Sequence, residues 1–165
     1  MPKRPPSPPP PAADSGLDRD AVLAKLNTIL ELELAGVVRY THYSLMIFGY
    51  HRIPIVAWMR GRANESLAHA QEAGEFVTHL GGHPSLAIGS LLETQKHDIG
   101  DILRESLGHE KATLKLYEKL LELVAGENVM LEEYAREHIS LESQHIGEVD
   151  KMLRKPGDIA SFERD

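Results

Sequence analysis

The chain has 165 residues, 42% of them hydrophobic and 26% charged, and its 25 acids outnumber its 18 Lys and Arg for a net charge of -7. That length supports one domain with a real core, and the acidic balance speaks against nucleic acid or an anionic membrane surface as a partner. The absence of cysteine excludes disulfides, thiolate zinc sites and cysteine-held iron–sulfur clusters, which leaves nine histidines and the acids as metal donors.

The opening segment MPKRPPSPPPPAADSG is rich in proline, which has a fixed φ and no amide donor. Residues 1–16 are therefore expected to be a disordered, extended tail. No apolar run reaches the roughly 18 residues of a membrane helix, and no signal-peptide pattern is present. A cytoplasmic protein is expected.

Four helical segments follow. The first runs from the N-cap Asp18 to about Phe48, before GYHRIP. The second starts at Pro54, placed for a first turn, and runs to about Leu80, where GGHP stops it. The third is expected over about Glu93 to Ala125, ahead of Gly126. The fourth covers about Val129 to Arg154 and ends at KPG, so residues 17–155 form the domain and 156–165 a short C-terminal tail. No stretch alternates with the period of a strand.

Short links join the first pair of helices and the last pair, which makes each pair antiparallel. Between the pairs lies GGHPSLAIGSLL. A dozen extended residues span about 40 Å, the length of a helix of some 28 residues. That segment can cross the whole bundle. The expected fold is all-α, a ferritin-like four-helix bundle of two antiparallel hairpins joined by a long crossover.

Each helix carries an apolar stripe in steps of three and four, and each stripe is interrupted. The first runs Leu26, Leu30, Glu33, Val37, Tyr40, Ser44, Ile47, with Glu31 on its flank. The second runs Ile55, Met59, Arg62, Ser66, His69, Ala73, Phe76, Leu80, with Glu65 and Glu72 a turn either side of His69. The third runs Leu103, Leu107, Glu110, Leu114, Tyr117, Leu121, Val124. The fourth carries Leu131, Ala135, His138, Glu142, His145, Val149 and Met152.

Taken singly, each interruption is ordinary. A Glu on a stripe keeps its head in water at a splayed edge, and a lone buried His is usually a hydrogen-bonded core residue. Together they fall near the middle of all four helices, and in a bundle the middles meet. Several acids buried in one layer would repel one another and take up protons. A pair of divalent cations removes both problems, so the layer is expected to be a shared metal site.

These residues resemble a known family. Over about Leu23 to Leu153 the chain is similar to bacterioferritins of the ferritin-like di-iron superfamily. LNTILELELAGVVRYTHYSLM resembles their first helix, with Glu33 as the metal-binding glutamate and Tyr40 as the tyrosine beside the centre. ILRESLGHEKATLKLY resembles the third, with Glu110 as the bridging carboxylate. LESQHIGEVDKML resembles the fourth, with Glu142 and His145 as its Glu-x-x-His.

The second helix departs from that pattern. His69 takes the histidine position, but Ser66 stands where a bridging glutamate belongs. Either Glu65, four residues before His69, or Glu72, three after it, is left to supply the carboxylate. Leu67 occupies the position of the haem-binding methionine, so haem is not expected. The family's fifth helix has no counterpart, and a homo-oligomer, at least a dimer through the first two helices, is expected.

The resemblance implies a ferroxidase of iron-storage type, oxidising Fe²⁺ to Fe³⁺ with O₂ or H₂O₂. It places Glu33, Glu110, Glu142 and Tyr40 in the catalytic machinery. It makes Glu33, Glu65 or Glu72, His69, Glu110, Glu142 and His145 ligands to a di-iron pair, although manganese or zinc would satisfy the same donors. Arg62 would offset surplus negative charge or reach to the surface, and His138 would support a ligand or pack in the core. The rivals are a manganese-catalase-like oxidoreductase without storage and a non-enzymatic protein holding one ion.

Overall fold

Asp18 caps the first helix, its carboxylate accepting from the Ala21 amide at 3.0 Å. In the computed structural model, which describes residues 16–91 and 94–162, four helices follow in order. They are α1 (Arg19–Met46), α2 (Arg52–His79), α3 (Ile99–Val124) and α4 (Val129–Leu153). The Pro-rich segment through residue 15 lies outside the described residues. None of the helices is long and apolar enough to cross a membrane.

The stop signals act as their chemistry requires. Gly81 adopts φ 71, and the Gly81 and Gly82 amides donate to Thr78 and Val77 carbonyls at 2.8 Å, closing α2. Gly126, at φ 77, ends α3. Pro54 falls in the first turn of α2, which begins at Arg52.

One boundary differs from the sequence expectation. The third helix starts at Ile99 rather than near Glu93. Asp98 caps it by accepting from the Gly100 amide at 2.8 Å, and Gln95 just upstream has φ 57, which no helix tolerates. The crossover is correspondingly longer.

That crossover is tied to α1. The Asn27 side chain accepts from the Ser85 amide at 2.8 Å and donates to the His83 carbonyl at 3.2 Å. The Ser85 hydroxyl bonds Glu31, and the Gly89 amide reaches the Glu31 carbonyl at 2.8 Å. A Cβ on Gly89 would sit 3.0 Å from that carbonyl oxygen, so the strap lies too close for a larger residue. The strap carries the chain down α1 and starts α3 parallel to α2.

The buried apolar residues form two clusters. One gathers Val22, Leu26, Val77, Tyr117, Leu120, Val124 and Leu131. The other gathers Tyr43, Ile47, Met59, Ile102, Leu107 and Val149. Between them lies a buried polar layer containing Glu33, Arg62, Glu110, His138 and Glu142. Helix α1 packs on α2 and α3, and α3 on α4, whereas α2 and α4 have no Cα atoms within 8 Å of each other. Long side chains fill that gap. Beyond α4, Arg154 donates to the Ile159 carbonyl at 2.9 Å and the Phe162 amide to Asp150 at 2.7 Å, folding the described part of the C-terminal segment back.

Candidate metal centre

Glu33 and Glu142 are 1% and 2% exposed, and each stands at the stripe position its helix periodicity dictates. Between them lies His69 of α2, its Nδ1 3.4 Å from Glu33 Oε1 and 3.7 Å from Glu142 Oε1. A second group forms around the other face of Glu142. His145 Nδ1 is 3.4 Å from Glu142 Oε2 and 3.8 Å from Glu110 Oε2.

Two donor triads result, Glu33–His69–Glu142 and Glu110–Glu142–His145, each with its donor atoms within 4.8 Å of one another. Carboxylate and imidazole donors bind divalent ions at about 2.0–2.2 Å, which sets two such donors on one ion about 3–4 Å apart. The histidine–carboxylate separations in both triads, 3.4–3.8 Å, fit that spacing. Glu142, and not Glu110 as the resemblance implied, is common to both groups, its Oε1 toward His69 and its Oε2 toward His145.

Phenols support the acids. Tyr117 donates to Glu33 Oε1 at 3.1 Å, and Tyr40 donates to Glu110 Oε1. Behind His69 stands His138, ring centroids 4.5 Å apart and edge to face. The His138 ring stacks on Tyr117 at 4.5 Å and 8°, and its Nε2 lies 3.0 Å from Glu72 Oε2.

The electrostatics are those of acids crowded in a dry layer. Burial, followed by the hydrogen bond and charge of Glu142, pushes the Glu110 carboxyl up to about 8. Burial likewise raises Glu142. Burial lowers His145, with the Arg62 charge acting the same way. For His69, burial acts downward, but the hydrogen bond and charge of Glu33 outweigh it and the ring is raised. His138 is held down at about 4 by burial and by His69.

The structure brings Glu33, His69, Glu110, Glu142 and His145 together, with Tyr40 in contact. The two candidates for the α2 carboxylate lie elsewhere. Glu65 is half-exposed and pairs with Arg62 Nη1 at 2.6 Å. Glu72 is also half-exposed and engages His138. Neither joins a triad. Ser66 faces α1, its Oγ 2.7 Å from where a Cβ on Gly36 would lie. Leu67 is on the open side of α2.

Sequence reasoning gave no role to Tyr117 beyond packing. Its position seven residues after Glu110 on one stripe was the available signal. His109 and Arg39 were also missed. His109 of α3 is buried against α1 and Arg39 of α1 is buried against α3, and neither falls on the stripe of its helix.

Comparison with known proteins agrees with the fold. Residues 23–157 match the family described as Ferritin: Ferritin-like domain. No curated protein matches in sequence. Among solved structures, a ferritin-like, diiron-carboxylate protein from Bacillus anthracis str. Ames is 25% identical, with a TM-score of 0.79 over 83% of this chain and 98% of its own. The bacterioferritin-related protein of Bacteroides fragilis, a dodecameric thioferritin, is 20% identical, with a TM-score of 0.79 over 84% and 88%. Rhodobacter capsulatus bacterioferritin is 20% identical, with a TM-score of 0.71 over 81% and 84%.

Proposed function

Since the chain belongs to the ferritin-like domain family, we propose that its polar layer is a ferroxidase centre serving iron storage. Fe²⁺ is the substrate and O₂ or H₂O₂ the oxidant. The observation that carries this reading is the pair of triads joined at Glu142, one on each face of a single carboxylate. Oxygen and nitrogen donors with an excess of acid suit Fe²⁺ and suit Fe³⁺ better.

The residues divide the work. Glu33, His69 and Glu142 hold one ion; Glu110, His145 and Glu142 hold its neighbour. Two Fe²⁺ side by side supply the two electrons that take O₂ to H₂O₂, or H₂O₂ to water, with two protons consumed in either case. Glu110, which burial keeps protonated near neutral pH, gives up a proton as the cation arrives. Tyr117 keeps Glu33 pointed inward, and Tyr40 does the same for Glu110. The flanking apolar clusters keep bulk water from the layer.

The functional unit proposed is residues 17–155, acting in the cytoplasm as a homo-oligomer, at least a dimer through α1 and α2. Exposed Val38, Leu45, Phe48, Tyr50, Ile53 and Leu67 on those helices and their turn support that face.

Stopped-flow mixing of the metal-free protein with Fe²⁺ in air tests the reading, followed by near-ultraviolet absorbance of Fe³⁺. Oxidation faster than in buffer, and lost in Glu33→Gln, is expected. Oxidation at the buffer rate would overturn it.

A further inference from the structure

The second triad already holds a cation. Arg62 of α2 is 6% exposed and reaches across the gap between α2 and α4. Its Nη2 hydrogen-bonds His145 Nδ1 and lies 3.5 Å from Glu110 Oε2. Those are two of the three donor atoms a metal would take there. The first triad is arranged differently, since Glu33 pairs with His69 and Tyr117.

A guanidinium does not lose its proton in a protein. It cannot yield its place to a metal by becoming neutral, as a lysine could; it must move. A divalent ion entering beside it would meet a like charge in a layer of low dielectric. The His145 lone pair that accepts from Arg62 is also the one a metal needs. Ser66, one turn along the same stripe, offers a hydroxyl facing α1 where a carboxylate would have strengthened the second position.

An exit is built in. Nη1 is already held at 2.6 Å by Glu65, whose side chain is 51% exposed. Trp58, Gly61, Arg62, Glu65 and Glu148 line an open surface cleft of about 360 Å³. Gly61 has no side chain to obstruct it, and Glu148 supplies a second acid. The guanidinium can leave the layer without losing a counter-charge.

We propose that Arg62 is the resident cation of the second metal position, a displaceable plug that makes the centre load asymmetrically. The first divalent ion binds Glu33–His69–Glu142. The second binds Glu110–Glu142–His145 only when Arg62 swings out toward Glu65 and Glu148. This rests on the reading of the triads as the iron site and adds the order of filling and the residue that imposes it.

Anaerobic titration of the metal-free full chain with Co²⁺, followed by its visible spectrum, tests the plug without turnover. Wild type is expected to take one ion tightly and the next roughly tenfold or more weakly, as like-charge repulsion requires. Arg62→Gln should bring the two affinities within a few-fold, whereas Arg62→Lys, whose ammonium can yield by losing its proton, should fall between wild type and Arg62→Gln and approach Arg62→Gln as pH rises. Glu33→Gln should lose the tight ion and Glu110→Gln should retain it.

Two ions of equal affinity in wild type, or a second ion as weak in Arg62→Gln as in wild type, would overturn the plug and leave the ferroxidase reading standing. No Co²⁺ bound by wild type would remove both. Should Arg62→Gln fail to fold by circular dichroism, the Glu33 and Glu110 variants decide: a tight ion lost from Glu110→Gln and kept by Glu33→Gln overturns the order.

Discussion

Tyr117 on α3 donates a hydrogen bond to Glu33 on α1, 3.1 Å from hydroxyl to carboxylate. The phenol is fully buried and its ring is fixed by stacking on His138. A rigid donor of this kind decides which way a carboxylate presents its other oxygen. Tyr117→Phe keeps the ring and removes the donor. It should cost about 1 kcal/mol of metal-free stability and weaken the first metal roughly tenfold. Urea unfolding and Co²⁺ titration measure the two effects, and an unchanged first affinity would show that the bond does not orient Glu33.

Glu142 is the shared acid, so its removal should affect both triads at once. In Glu142→Gln the crowding of buried acids is relieved, and the metal-free protein should be at least as stable as wild type, more so at high pH where the wild-type acids ionise. It should also lose the stabilisation that metal gives, which for wild type at a hundredfold excess over the dissociation constant is about 2.7 kcal/mol. Melting with and without Zn²⁺ checks both. A metal-induced rise as large as in wild type would exclude Glu142 as a common ligand.

Gly36 sits mid-helix, where alanine would ordinarily stabilise by about 1 kcal/mol. Here an added methyl would lie 2.7 Å from Ser66 Oγ and 2.9 Å from His109 Nε2. Both neighbours are buried, so α1 must move away from α2 and α3. Gly36→Ala should therefore destabilise by about 1–3 kcal/mol, read as a lower urea midpoint at unchanged slope. A gain in stability would mean that Ser66 and His109 yield freely.

His109 is held neutral, its pKa lowered to about 3 by burial and then by the charges of Arg39 and Arg62. Its unfolded value is near 6.5. Between these values the unfolded chain binds a proton that the folded chain refuses, so stability falls as pH falls. The loss for this one group is about 1.4 kcal/mol per pH unit below about 6.5. His109→Phe removes the titration. The wild-type stability measured relative to that variant should decline by this slope from pH 6.5 to pH 5, and a flat difference would contradict it.

The fold was legible because its signals are local. Asp18, Gly81 and Gly126 mark helix ends through backbone geometry that their neighbours alone determine. The late start of α3 was not legible, because the choice between Glu93 and Asp98 rests on Asp98 capping the helix while the strap is tied down on α1. The site was legible to the level of helix face. Stripe periodicity fixes the direction a Cβ leaves the axis, and that was enough to bring Glu33, His69, Glu110, Glu142 and His145 together.

What periodicity leaves open is where a long side chain ends. Sequence alone left the α2 carboxylate between Glu65 and Glu72, and left Arg62 either inside or at the surface. Tertiary structure decided all three. Helices α2 and α4 stand more than 8 Å apart Cα to Cα, a gap that an arginine can bridge, so Arg62 goes in and keeps Glu65 at its outer edge. Glu72 lies opposite His138 and pairs with it. The sequence determined the bundle and the acids in its middle, since both follow from a residue's place on its own helix. Only the packing decided which charges balance those acids, since a flexible side chain takes the partner that stands across the gap.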